Sequence, residues 1–301
     1  MHPRLTGEVA ALTAALLWAV ATILFRRIGR RVPSAELNLL KGLVAMALLA
    51  AALSVRGSLG APLPARATAW LLVSGAIGIG IGDTAYFESL RCLGSRLALL
   101  LGMLAPPLAG LTAFALLGET LAAPAWLGVG LVVGGVAWVV SEKTPESDGT
   151  KRALGRGIAC GVLASLMQAL GAVLSRAALV SSDIDVFWSA LLRLAAGAVI
   201  TLFWLAARRR RPGLWLRAPD AGRIWTTLLA AAGLGTFLGL ALQQFALRLT
   251  SAGIAQTLLA TSPIFVLPLA ALARERVSGR AVLGAFVALA GVAMLFGLAS
   301  W

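Results

Sequence analysis

Residues 68–90 read TAWLLVSGAIGIGIGDTAYFESL, a glycine-rich apolar run that holds only two carboxylates. About 20 apolar residues are enough for a helix to cross the roughly 30 Å of hydrocarbon in a bilayer. A second stretch, residues 224–246, reads IWTTLLAAAGLGTFLGLALQQFA and has the same character. The two stretches predict membrane-crossing helices, and they indicate that the chain repeats itself.

Apolar stretches of similar length follow one another along the whole chain. Ten of them, called spans 1 to 10, cover residues 8–25, 36–55, 68–90, 95–117, 124–141, 155–175, 186–206, 224–246, 252–272 and 280–299. Of the 301 residues, 59% are apolar and 13% are charged, and the mean hydropathy is +0.91. A soluble domain has about 25% charged residues, so we predict an all-α polytopic membrane protein with ten transmembrane helices.

The second half of the chain repeats the first at a nearly constant offset. Leu39-Leu40-Lys41 aligns with Leu191-Leu192-Arg193, and Pro106 aligns with Pro263. We therefore predict a first repeat at residues 1–142, a polar cytoplasmic linker at 143–152 and a second repeat at 153–301. Because each repeat has five spans, the second must enter the membrane from the opposite side, which makes the repeats inverted.

The basic residues are distributed unevenly between the two sides of the predicted bundle. The chain has 26 Lys and Arg against 12 Asp and Glu, a net charge of +14. Of these basic residues, 19 lie in the loops after spans 1, 3, 5, 7 and 9 or in the first residues of the spans that follow them, here called the basic end. Such loops are usually cytoplasmic, which predicts a multi-pass protein of the cell membrane, a bacterial inner membrane, with both termini outside. The run Arg208–Arg211 then orients the chain and contacts anionic lipid rather than nucleic acid.

One order of features occurs in both halves: a glycine-rich third helix, a short arginine-containing turn, a proline-bearing helix, a glutamate and a glycine-studded last helix. It comprises Gly78, Asp83, Tyr86, Pro106, Pro107, Gly118, Glu119 and Gly128, and again Gly235, Pro263, Glu275 and Gly284. This pattern resembles the ten-helix, EamA-like family of the drug/metabolite transporter (DMT) superfamily. The resemblance implies a five-plus-five inverted-repeat transporter of small organic solutes, often an exporter of amino acids. The second copy departs from it at Arg274, where the first has Gly118.

Transporters built from inverted repeats bind their substrate near the middle of the membrane, where paired helices are interrupted by glycine or proline. The helix breaks predicted here are at Pro106, Pro107, Pro263 and Pro268. The glycines of spans 3 and 8 could also mark this site, or they could serve close helix packing, as in Gly157-x-x-x-Gly161.

Polar and aromatic residues inside the spans are the candidates for a substrate-binding cavity, since polar groups in hydrocarbon need a reason. They are Trp18, Asn38, Lys41, Asp83, Tyr86, Gln168, Trp188, Arg193, Gln243, Gln244 and Gln256. Lys41 and Arg193 occupy matching positions and either attract a substrate carboxylate or phosphate or extend towards the membrane surface. Trp18 and Trp188 either line the cavity or belong to the aromatic belts.

Two carboxylates of span 3 are candidates for proton coupling. Asp83 lies deeper and either couples protons, binds a substrate ammonium or makes a structural hydrogen bond to a neighbouring helix. Glu88 is one helical turn from Arg91 and either couples protons or forms an ion pair near the surface.

These features predict a secondary transporter that exports small amphipathic metabolites such as amino acids by alternating access. The alternatives are a multidrug or organic-cation exporter that relies on Asp83 and Glu88, a channel and a membrane-embedded enzyme. One histidine, His2, and two cysteines leave little material for catalytic or metal chemistry, so we expect no enzyme activity, no metal and no cofactor. The expected partners are a small-molecule substrate and membrane lipid, without nucleic acid, and the expected state is a monomer, with a homodimer as the alternative.

Overall fold

The computed structural model consists of helices joined by short connections. It describes residues 3–117, 123–140, 151–207, 213, 215, 219–250, 252–272 and 278–297. Residues 143–150 of the predicted linker, the run Arg208–Arg211 and the pairs Gly118-Glu119 and Arg274-Glu275 lie outside the described residues.

The first repeat contains five membrane-spanning helices, two of which are interrupted. Spans 1 and 2 are the continuous helices Pro3–Gly29 and Ser34–Val55, and span 5 is Ala123–Val140. Span 3 is an α-helix at Ala65–Gly75, a π-helix at Ala76–Asp83 and the first part of the helix Thr84–Gly102. At Gly94 (φ 82°) that helix kinks, since glycine adopts positive φ without a steric penalty. The rest of it and the helix Ala105–Leu117 form span 4.

The second repeat has the same plan with the same interruptions. Spans 6, 7 and 10 are the continuous helices Lys151–Val180, Val186–Ala207 and Gly279–Gly297. Span 8 is an α-helix at Ala221–Ala231, a π-helix at Ala232–Leu238 and an α-helix at Gly239–Leu249. Span 9 consists of the helices Ala252–Leu259 and Ser262–Leu272. The ten predicted helices are therefore confirmed.

Length and composition support membrane insertion independently of the repeat. Six helical stretches are long and apolar enough to cross a bilayer: Leu5–Gly29, Ser34–Val55, Ala65–Gly102, Arg152–Val180, Val186–Ala207 and Ala221–Leu249. Two shorter apolar helices, Trp126–Val139 and Val282–Met294, lie within spans 5 and 10. The chain is a multi-pass membrane protein.

The helix interruptions fall at equivalent places in the two repeats. Spans 4 and 9 break just before Ala105 and Ser262, so Pro106, Pro107 and Pro263 occupy first helical turns, where a missing backbone N–H costs nothing. The π-helices of spans 3 and 8 are equivalent as well, and such segments are frequent at functional sites. Pro268, predicted as a further break, instead lies inside the helix Ser262–Leu272.

The packing of the spans follows a two-fold relation between the repeats. Span 1 packs on span 8 and span 6 packs on span 3, while spans 2 and 7 pack on each other, as do spans 5 and 10. The glycines allow these approaches: a Cβ at Gly157 would lie 2.6 Å from Leu93, and one at Gly291 would lie 2.7 Å from the Gly128 carbonyl. Small residues permit such close helix contacts in membranes, so the close-packing interpretation holds for these glycines.

Candidate functional site

A cavity of about 200 Å³ lies between the two repeats, near the helix interruptions. Spans 1, 2, 3 and 4 line it from the first repeat, and spans 6, 7, 8 and 9 line it from the second. Pro106 and Pro263, which open the second halves of spans 4 and 9, both face it. A single water needs only about 10–15 Å³ by a comparable measure, so a small organic molecule fits.

Most of the predicted substrate-binding residues line this cavity. They are Trp18, Lys41, Asp83, Tyr86, Gln168, Arg193, Gln243 and Gln256. These residues come from seven different spans, and no single segment of the sequence indicates that they meet in one cavity. The arrangement places a few polar groups among aromatic and aliphatic walls, as small-molecule sites do.

Three predicted residues lie elsewhere. Asn38 is buried between spans 2 and 3, where its Nδ2 donates to the Ile79 carbonyl at 2.8 Å and to Thr84 Oγ1 at 2.9 Å. This amide satisfies a carbonyl of the π-helix. Gln244 lies behind the cavity wall against Arg193. Trp188 lies at the end opposite to the basic end, where its indole donates to the Ser58 carbonyl at 2.9 Å.

Lys41 and Asp83 form an ion pair in the cavity wall, with Nζ and Oδ2 2.5 Å apart. The Lys41 side chain is 6% exposed, so it does not extend to the membrane surface. Asp83 ends the π-helix of span 3, and the Lys41 ammonium also lies 5.5 Å from the centroid of the Phe87 ring. The deep carboxylate therefore has its partner on the neighbouring helix, which agrees with the structural alternative stated for Asp83.

Arg193 occupies the position in the second repeat that is equivalent to Lys41 in the first repeat, but its environment is different. It is 1% exposed, and its Nη1 donates to Gln244 Oε1 at 2.9 Å. Gln244 Nε2 in turn donates to Ser175 Oγ at 2.7 Å and to Ser189 Oγ, which fixes the amide. Among the described residues no carboxylate lies within ion-pair distance of Arg193, and its Nε has no hydrogen-bond partner.

Glycines of spans 3 and 6 make room for Arg193, a role that sequence reasoning did not assign to them. A Cβ at Gly75 would overlap the Arg193 backbone, and a Cβ at Gly78 would lie 3.4 Å from Nη2. Gly171 is similarly close, at 3.6 Å. The glycine-rich segment of span 3 therefore accommodates a buried cation as well as a neighbouring helix.

The aromatic wall of the cavity is held by hydrogen bonds. Trp18 Nε1 donates to the Gly235 carbonyl, in the π-helix of span 8, at 2.9 Å, so this tryptophan is a cavity residue and not part of an aromatic belt. The Tyr86 hydroxyl and Thr22 Oγ1 are 2.7 Å apart. Phe87 and Phe25 pack edge to face, with ring centroids 5.1 Å apart. Thr22 and Phe25 line the cavity but were missed, since nothing in the sequence separates them from other apolar-face residues.

Glu88 lies outside the cavity, in an ion-pair cluster at the basic end. Its carboxylate accepts from Ser34 Oγ at 2.8 Å and from Arg91 Nη2 at 2.5 Å, and it lies 3.1 Å from Arg156 Nη2. The surface pair with Arg91 is therefore present. Because Arg156 belongs to span 6, Glu88 also joins the two repeats.

A further contact joins the repeats at each end of the bundle, at equivalent positions. At the basic end, Glu36 Oε2 accepts from the Gly213 backbone N–H at 3.0 Å and from Trp215 Nε1 at 3.2 Å. At the opposite end, the Trp188 contact with Ser58 has the same place in the other repeat. The first contact joins the start of span 2 to the loop after span 7. The second contact joins the start of span 7 to the loop after span 2. The sequence gives no signal for these pairings.

The residues that the structure describes contain no group of three or more His, Cys, Asp or Glu side chains that could hold a metal ion. The polar side chains of the cavity carry amides, hydroxyls, an indole, one carboxylate and two cations. Such groups can orient a solute by hydrogen bonds and charge.

Comparisons with known proteins agree with this architecture. The model of the EamA-like transporter family matches residues 5–141 and, a second time, residues 155–297. One solved crystal structure of a protein is 20% identical in sequence, with a TM-score of 0.73 over 97% of each chain. At this identity the likeness shows a shared fold. No curated protein matches the chain.

Proposed function

Because the chain belongs to the EamA-like transporter family, whose model matches both of its halves, we propose that it is a secondary transporter of small amphipathic metabolites. Its solutes carry a carboxylate, and amino acids are among them. We propose export from the cytoplasm across the cell membrane, with the basic end on the cytoplasmic side, where positively charged loops accumulate.

The observation that carries this proposal is the cavity shared by the two repeats. Both broken helices, spans 4 and 9, reach it with a proline, and both π-helices border it. Interrupted helix pairs at a repeat interface are where inverted-repeat transporters bind their substrates. A buried arginine and unpartnered amides in the same cavity supply the polar contacts that a small carboxylate needs.

The equivalent contacts at the two ends of the bundle support alternating access as the proposed mechanism. Glu36 ties the repeats together at the basic end and Trp188 does so at the opposite end. The two positions are equivalent in the two repeats. Breaking one contact while keeping the other therefore gives two conformations of similar free energy, one open to each side of the membrane. The cavity then faces one side of the membrane at a time.

An organic-cation exporter is the second candidate, and Asp83 is the observation that favours it. This carboxylate lies in the cavity wall, but Lys41 neutralises it. A cationic solute would have to displace that lysine, so the carboxylate-bearing solute is the better supported substrate.

The proposal is tested by solute counterflow in liposomes that contain the purified protein. The panel includes amino acids, small carboxylic acids and organic cations, and saturable exchange of at least one solute is expected. Ala164→Phe fills the cavity and should abolish exchange, whereas Leu163→Phe, at the adjacent position, which is 41% exposed, is the matched control. Exchange of no solute, or equal exchange by the Ala164→Phe variant, would refute the proposal.

A further inference from the structure

The charges that line the cavity do not balance. Its charged side chains are Lys41, Asp83 and Arg193. Lys41 and Asp83 neutralise each other across 2.5 Å, while Arg193 has no carboxylate within ion-pair distance in the described part of the chain. The cavity therefore has a net charge of one positive unit before a solute binds.

Among the described residues that line the cavity, the fully buried side-chain atoms that lack a hydrogen-bond partner are all donor atoms. Arg193 Nε, Gln243 Nε2 and Gln256 Nε2 are buried without a partner among the described residues, and the three residues are 1%, 1% and 3% exposed. A buried donor without an acceptor is costly. A carboxylate accepts hydrogen bonds only and can take two from an arginine or its neighbours, so it complements this set in both charge and hydrogen bonding.

The carboxylate that would attract a substrate ammonium is already neutralised by an ion pair. Asp83 is the carboxylate of the cavity lining, and Lys41 Nζ donates a hydrogen bond to its Oδ2. Lys41 is held there by span 2 and by the Phe87 ring, 5.5 Å from the ammonium. A tethered ammonium competes with a free one at a high effective concentration, so Lys41 takes the place of the amino group of a solute.

We propose that the cavity recognises its solute as a monoanion: the carboxylate binds Arg193 with the Gln243 and Gln256 amides, and the body packs on the aromatic wall. An amino group adds no affinity, because Lys41 neutralises Asp83. A carboxylic acid that lacks the amino group therefore binds at least as tightly as the corresponding amino acid. This inference rests on the proposed function, since it assumes that the cavity is the transport site.

The test uses four probes with one aromatic body: 3-phenylpropionate, phenylalanine, 3-phenylpropanamide and 3-phenylpropylamine. Binding to the purified protein is measured by calorimetry, and exchange by counterflow in liposomes. The wild-type protein is expected to bind 3-phenylpropionate at least about tenfold more tightly than the amine. Its affinity for phenylalanine should not exceed that for 3-phenylpropionate.

Substitutions of the charged residues show how much each of them contributes to the preference of the cavity for an anionic solute. Arg193→Gln removes the free cation and should abolish the preference for 3-phenylpropionate over the neutral amide, whereas Arg66→Gln, an exposed arginine outside the cavity, should leave it unchanged. Lys41→Met frees Asp83 and should raise the affinity for the amine about tenfold relative to 3-phenylpropionate. Should Lys41→Met fail to fold, Asp83→Asn gives the opposite test, a stronger preference for the anion.

The outcomes distinguish the two proposals. A protein that exchanges solutes but binds the amine or phenylalanine more tightly than 3-phenylpropionate overturns the monoanion proposal and leaves the transport function intact. An unchanged binding preference in an Arg193→Gln variant that exchanges solutes more slowly than the wild-type protein does the same. A protein that exchanges no solute of the panels overturns the transport function and the monoanion proposal with it.

Discussion

The pair formed by Lys41 and Asp83 should behave as one stabilising unit, which a double-mutant cycle can measure. Lys41→Met leaves the carboxylate without its cation, and Asp83→Asn leaves the ammonium without its anion. The double variant removes both charges and keeps side chains of nearly the same volume. We therefore expect each single variant to be less stable than the double variant.

The size of the effect follows from the burial of the two side chains. Removing one partner of a fully buried ion pair costs about 3–5 kcal/mol. Lys41 is 6% exposed but Asp83 is 27% exposed, so the uncompensated carboxylate is partly solvated and we expect about 2 kcal/mol for each single variant. The coupling free energy between the two positions should be about 3 kcal/mol, at the upper end of the range for residues in contact, which makes the double variant only about 1 kcal/mol less stable than the wild-type protein.

The assay is SDS-induced unfolding in mixed micelles, which gives the free energy of unfolding for each of the four proteins. Arg66→Gln serves as a control for the loss of a charge, because Arg66 is exposed and does not line the cavity. Additive effects of the two substitutions would show that the ion pair does not exist in the folded protein. The assignment of Asp83 as a neutralised group would then be wrong.

Three other substitutions test the packing, the ends and the cavity wall. Gly291→Ala places a methyl group 2.7 Å from a carbonyl of span 5 and should lower the free energy of unfolding by about 1–3 kcal/mol in the same assay, whereas Gly134→Ala, which has open space, should not; equal effects would contradict the packing. Trp188→Phe removes a hydrogen bond between the repeats that is worth about 1 kcal/mol. A cysteine introduced at Gln256 should then react faster with a thiol reagent added on the side of the membrane opposite to the basic end. An unchanged rate would refute the role of Trp188 in closing that end of the bundle. Trp18→Phe leaves a π-helix carbonyl unpaired and should weaken solute binding several-fold in calorimetry, and unchanged binding would exclude this residue from the site.

The ten helices could be predicted because each one satisfies a local rule. A span must be apolar over about 20 residues, and the loops must carry the charges that orient it. The boundaries agree closely in span 2, predicted at 36–55 and observed at Ser34–Val55. Lys41 and Arg193 could be singled out for the same reason, since a charge inside an apolar stretch is unusual on its own.

The partners of these residues could not be predicted, because they depend on contacts between distant segments. Lys41 and Asp83 are 42 positions apart, and Arg193 and Gln244 are 51 positions apart. Trp188 shows the same difficulty, since an indole near a span end is equally compatible with a lipid belt, a cavity and the observed contact with Ser58. The π-helices also gave no signal, because one extra residue per turn does not change the apolar character of the segment.

The most direct test of the central claim, that the cavity between the repeats is a transport site, compares counterflow by the wild-type protein and by Arg193→Gln in liposomes. Both proteins are checked for folding by SDS titration, and Arg66→Gln provides the matched loss of charge. The account predicts saturable exchange of a carboxylate-bearing solute by the wild-type protein and by Arg66→Gln, with at least about tenfold less by Arg193→Gln. Equal exchange by a folded Arg193→Gln variant would contradict it.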